Sequence, residues 1–329
     1  MSLCVLYVIK SDFDCILKEY GPAIRQYQNV FGHFETFWKN LTDFHRYSYR
    51  KCAINGYLDL LDWEFTLRDH PFFLRAARRA LGCWFDILRL QREHKWEELE
   101  RGSLKWTEQQ RDADKKGHRQ KDERGWRLIH CDDPLRRVKG WIDHLEPLMD
   151  ALKQRGTDFD DALRIEVHFS RIKHSFYAQK EEELRESIER VEDEQPELEM
   201  NAHFVFAAFA AIHEMKQCRG DSAKAMWTVM EPFCAQFDGE YLKAQYEGAG
   251  DDVSKLLSVL RCCVEMEGVS ESSGISAAEI VERIMKLQCT PMQCVEVREV
   301  ISSDEDTLHS FENYVKDRYP LQLTNINIE

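Results

Sequence analysis

His130-Cys131-Asp132-Asp133 is the densest run of metal-type donors in the chain. A zinc-like ion needs side chains that converge on one point, and four consecutive residues fan outward instead. The other histidines are scattered, and none falls in H-E-x-x-H or beside a cysteine at zinc spacing, so no metal site is expected. Carboxylates cluster at Asp158, Asp160 and Asp161 and again at Glu181–Glu183. The first group sits where a helix should start and answers its macrodipole, and the second is a solvated face. Neither spacing makes an acid/base dyad.

Gln245-Tyr246-Glu247-Gly248-Ala249-Gly250 fits the string Q/R-x-x-G-x-G/A, the loop with which acetyl-CoA-binding folds of the GNAT type hold a pyrophosphate on backbone N–H groups. Such a loop follows a strand. Here the preceding YLKAQY has helical character, and Asp251-Asp252 put negative charge where the anion would lie. The reading is therefore an inter-helix loop. With no G-x-S-x-G, no P-loop and no strand to present either, the chain is expected to be a non-catalytic binding scaffold with no catalytic residues and no cofactor-binding residues of its own.

The elements that would carry such a scaffold are helices. Across 329 residues, 43% are hydrophobic and 32% charged, while Gly (15) and Pro (8) are scarce. Stacked amphipathic helices have that balance; a β-sandwich or barrel needs many more turn residues. A net charge of −14 disfavours DNA as a partner, and no apolar run reaches the length of a membrane span. The opening MSLCVLYVIK lacks the basic flank and small-residue cleavage site of a signal peptide. Eleven cysteines at irregular spacing, mostly among apolar residues, are expected to be free thiols of a cytoplasmic protein.

Three regions follow from the pattern: a tetratricopeptide-like helical segment over 1–92, a charged linker over 93–132, and a C-terminal all-helical domain over 133–329. Ile24, Tyr27, Phe31 and Phe34 make one helical stripe, and Tyr47, Ile54, Leu58, Leu61 and Phe65 a second helix. A third follows Pro71, with Phe73, Ala76, Ala77, Ala80, Leu81, Trp84 and Leu88 inward and Arg75, Arg78, Arg79, Asp86 and Arg89 outward. Its small-large alternation is what stacked helix pairs use. The linker nearly lacks aliphatic residues and has little to bury beyond Trp96, Trp106 and Trp126. Asp132-Asp133-Pro134 restarts the helices; Ile165, Phe169, Ile172 and Phe176 form a stripe, 200–215 is apolar nearly all round, and Ser302-Ser303 opens the last helix.

Two stretches resemble a known family. GPAIRQYQNVFGHFETFW, followed by DFHRYSYRKCAINGYLDLLDWEFTLRDHPFFLRAARRAL, is similar in order and spacing to the part of the auxiliary subunit of the NatA N-terminal acetyltransferase that follows its long repeat array. From Pro134 to about Tyr319 the similarity is looser.

The resemblance implies an all-α, TPR-like scaffold that binds a GNAT-type catalytic subunit and helps to anchor it at the ribosome for co-translational acetylation. It also implies an inositol polyphosphate held at the subunit interface, where the matching positions are His45, Arg46, Arg50 and Lys51. Arg75, Arg78 and Arg79 are a further surface for the partner or the ribosome. The sequence departs from the family in having few residues before the match, as a fragment or a short form would, and in a linker whose longest lysine run is Lys115-Lys116. Alternatives are a generic helical-repeat adaptor, a non-functional fragment, or an acetyl-CoA-binding enzyme using 245–250.

Overall fold

The computed structural model describes residues 10, 14–15, 17–51, 58, 70–103, 122, 124–218, 221–266, 268–287 and 289–319. Every regular element among them is a helix, so the all-α reading holds. The chain forms two compact units, Met1–Arg155 and Gly156–Glu329.

The first unit is built on α1 (Tyr20–Lys51) and α2 (Pro71–Arg92), which pack together. α1 runs unbroken past Phe34 to Lys51, so Tyr47, expected on a second helix, belongs to the first. No Gly or Pro interrupts it between the two stripes except Gly32, and a single glycine costs a helix only about 1 kcal/mol. Ile54, Leu61 and Phe65 lie outside the described residues.

α2 starts where Pro71 supplies a preset φ and the Nδ1 of His70 accepts the N–H of Phe72 at 3.2 Å. Its whole expected inner face is buried, from Phe73 through Ala76, Ala77, Ala80, Leu81 and Trp84 to Leu88. Alanines let the neighbouring backbone approach, and Ile24 and Tyr27 fill that space at 0% exposure. Each such side chain contributes roughly 1.5–3 kcal/mol by leaving water. α3 (Trp96–Leu99) and α5 (Pro134–Leu145) pack on α2, and α4 (Trp126–Ile129) packs on α1. Phe31 ties three helices: its ring lies 5.8 Å from Phe73, 5.1 Å from Trp141 and 4.6 Å from His144. The expected start of α5 is in place, with the Asp133 carboxylate accepting from the Arg136 N–H at 3.0 Å. A short 3-10 turn (Glu146–Leu148) and α6 (Met149–Arg155) end the unit.

The second unit centres on α7 (Asp158–Tyr177), which packs against α8 (Glu181–Leu198) and α9 (His203–Lys216). Ile165, Phe169, Ile172 and Phe176 are buried as the stripe required. α9 is the apolar segment expected at 200–215, and Phe204, Val205, Phe209, Ile212 and Met215 are all covered. Then come α10 (Asp221–Cys234), α11 (Gly239–Gly248), α12 (Val253–Glu265), α13 (Val269–Ser273), α14 (Ala277–Met285), α15 (Pro291–Val300) and α16 (Glu305–Arg318). The opening of α16 corrects one expectation. Asp304, not Ser302-Ser303, caps it by accepting the Thr307 N–H at 3.2 Å. A carboxylate at that position adds charge to the hydrogen bond and favours the positive helix end.

Candidate functional site

Two sets of arginines stand on the packed helix pair of the first unit. Arg46 and Arg50 are one turn apart on α1 and both exposed. His45 and Lys51 share that helix, although their side chains lie outside the described residues. On α2, Arg75 and Arg79 are exposed one turn apart and Arg78 is half-buried between them. Packing explains the separation of the two faces: each inward position of α2 is taken by an apolar or small residue, so the charged ones lie on the outer side. Arg89, further along, is instead committed to its own helix, 3.4 Å from Asp86 and 3.7 Å from Glu93.

Paired guanidinium groups at this spacing offer planar donor forks to carboxylates or phosphates. Guanidinium groups carry no nucleophile or proton-transfer group.

The other sequence candidates have structural occupations. His130 stacks on Trp96 at 5.5 Å and meets Trp126 at 4.3 Å, with Nε2 3.2 Å from a Glu100 carboxylate oxygen. Asp133 caps α5, Asp132 is exposed, and the Cys131 carbonyl accepts from Gln91 Nε2 at 3.4 Å. The four residues thus point to four different tasks, and no cluster of three potential ligands occurs among the described residues.

The Gly-containing string is the last turn of α11 and the tight link into α12, with Gly250 at φ 55°. Asp252 caps α12, its carboxylate accepting the N–H groups of Ser254 and Lys255 at 2.9 and 3.2 Å. Arg283 takes the carbonyls of Tyr246 and Gly250, each at 2.7 Å. The first amides of α12, just after the string, already have a carboxylate on them, and like charge keeps a second anion away. Helix, not strand, precedes the loop, as the sequence indicated.

One constellation escaped sequence reasoning. Arg164 is 1% exposed within α7, and its guanidinium reaches Asp161 Oδ1 at 2.9 Å and Glu197 Oε1 at 2.8 Å and is also bonded to Glu194. His168 Nε2 stands 3.5 Å from the same Glu194 carboxylate. His168 first, and then Arg164, pull the Glu194 pKa from its ordinary 4.5 to about 2, against the effect of burial. Asp161, read as a helix-start charge, is therefore also a counter-ion. Only the i, i+3 spacing of Asp161 and Arg164 signalled any of this; Glu194 and Glu197 arrive through the packing of α8 on α7. The geometry is that of a structural ion cluster.

Among the described residues the first unit is thus an all-helical scaffold with an arginine-bearing surface. Residues 7–148 match the family model of the N-terminal acetyltransferase A auxiliary subunit. Among curated relatives, the N-alpha-acetyltransferase 16, NatA auxiliary subunit, of Homo sapiens is 34% identical over 30% of this chain and 12% of its own length. The Mus musculus protein of the same name is 35% identical over 22% of this chain and 8% of its own. The N-terminal acetyltransferase A complex auxiliary subunit of Arabidopsis thaliana is 31% identical over 20% and 8% respectively. The N-terminal stretch of this chain is thus similar to the NatA auxiliary subunits, the resemblance its 21–81 motifs announced. The matched stretch spans about an eighth of the human relative, and it ends before α7. No described helix is long and apolar enough to cross a membrane.

Proposed function

We propose that this chain is a non-catalytic auxiliary subunit that binds a GNAT-type catalytic acetyltransferase subunit and helps to hold it at the ribosome, in the cytoplasm. The family match over 7–148 carries the reading, because it falls on the helix pair with the exposed arginines. A stack of helices offers a partner a long surface, and the relatives are named for an auxiliary role. In this reading Arg46 and Arg50, with His45 and Lys51, hold an inositol polyphosphate at the subunit contact. Their one-turn spacing on α1 supports clustered phosphate binding. Arg75, Arg78 and Arg79 then face the partner or ribosomal RNA. The functional division follows the sequence boundaries 1–92, 93–132 and 133–329, with the first segment as the partner surface.

Co-expression with the cognate catalytic subunit tests it. A stable complex that acetylates Ser- or Ala-starting peptides is expected, and failure to co-purify at low salt overturns the proposal. A generic helical adaptor would instead crosslink in cell extract to a dominant partner that is no acetyltransferase.

A further inference from the structure

Two thiols meet in the first unit and are unused by any role above. Cys15 Sγ lies 3.6 Å from Cys83 Sγ, across 68 residues of chain. Cys83 is on the covered face of α2 at 1% exposure, and Cys15 is half-buried. The backbone around Cys15 is held in a tight turn: its carbonyl accepts the Lys18 N–H at 3.0 Å, and the Asp14 carbonyl accepts that of Glu19 at 2.8 Å. The approach of the two sulfurs is thus set by a bonded turn on one side and a packed helix on the other.

We propose that Cys15 and Cys83 are a redox-sensitive pair, which a peroxide converts to a disulfide that fastens the 14–19 turn to α2. The steps balance. The Cys15 thiol, the accessible one, attacks a peroxide oxygen as its thiolate, giving a sulfenic acid and releasing hydroxide (water after protonation). Cys83 then attacks the sulfenic sulfur; the S–S bond forms, the S–O bond breaks, and a second water leaves with the Cys83 proton. Two thiols are oxidised by two electrons, and hydrogen peroxide is reduced to two waters. The hydrogen bond with Cys15, and then burial, hold the Cys83 thiol well above its ordinary pKa, so the first attack falls to Cys15. From 3.6 Å the sulfurs must close by about 1.5 Å to reach a bond of about 2.05 Å.

The complete reduced chain, treated with hydrogen peroxide and digested without reductant, is expected to yield a linked peptide pair containing Cys15 and Cys83. Alkylatable thiols should fall by two from the eleven present before any other cysteine is modified, and dithiothreitol should restore them. Cys15→Ser should abolish the linked species while its helical circular dichroism matches the parent; Cys15→Ala is the second variant should serine disturb the turn. Recovery of Cys15 as a sulfinic acid with Cys83 still alkylatable overturns the proposal. So does pairing of Cys15 with any other cysteine.

Discussion

The central helices α2 and α7 handle arginine in opposite ways. α2 (Pro71–Arg92) keeps Arg75 and Arg79 in water and packs an inner face of alanine, leucine and tryptophan. α7 (Asp158–Tyr177) buries Arg164 among three carboxylates and covers His168 and His174 as well. The first arrangement follows from hydrophobic periodicity alone. The second needs counter-charges from another helix, since an isolated buried guanidinium would cost several kcal/mol. Arg75 and Arg79 of α2 stay at the surface, whereas Arg164 of α7 is consumed in holding the fold.

The contrast can be broken from either side. Trp84→Ala should cost the most, about 3–5 kcal/mol by urea unfolding, because the indole is at 0% exposure with no room for the core to collapse. Trp84→Phe should cost far less, since the buried indole Nε1 has no hydrogen-bond partner to lose. Were the two equal, ring volume would not be what α2 contributes.

Arg164→Met should cost about 3 kcal/mol by leaving Glu194 and Glu197 uncompensated. The acid limb sharpens this. The folded pKa of Glu194 is depressed, so its stabilisation is complete above about 4.5 and is lost as pH falls toward about 2, roughly 3 kcal/mol at most. Thermal unfolding between those pH values should show a smaller loss in Arg164→Met than in the parent, because His168 still lowers the Glu194 pKa. An equal fall in both would remove Arg164 as a cause.

Gly125→Ala should follow at about 2 kcal/mol. Gly125 has φ 68°, and a Cβ there would sit 2.0 Å from the Gly21 carbonyl oxygen. The contact draws the start of α1 against the 124–125 backbone, where Ser103 Oγ also donates to the Arg124 carbonyl at 3.1 Å. Arg46→Glu with Arg50→Glu should change stability least, within about 0.5 kcal/mol, because both are exposed. The same pair should weaken inositol hexakisphosphate binding by at least tenfold in calorimetry. Unchanged binding would show that these arginines, like that on α7, serve no ligand.

Much of this was legible in the chain. The inner face of α2, the apolar α9 and the caps at Pro71 and Asp133 follow from spacing and residue type, because a helix repeats every 3.6 residues and its first turn must find acceptors. The arginines of α1 and α2 were legible as a surface for the same reason. The tight inter-helix link at 245–252 was also readable, from the helical flank and the two aspartates. Less could be read where partners lie far apart in sequence. Nothing in Asp304 against Ser302-Ser303 chooses the cap of α16 until the chain turns there.

Residue types and their period alone determined that this protein is helical and which faces are covered. Tertiary structure decided what the charged and thiol groups meet. It put Glu194 and Glu197 on Arg164, Trp96 on His130, and Cys15 on Cys83. Such pairings depend on contact between elements tens of residues apart, which local periodicity does not encode and only the packing of one helix on another supplies.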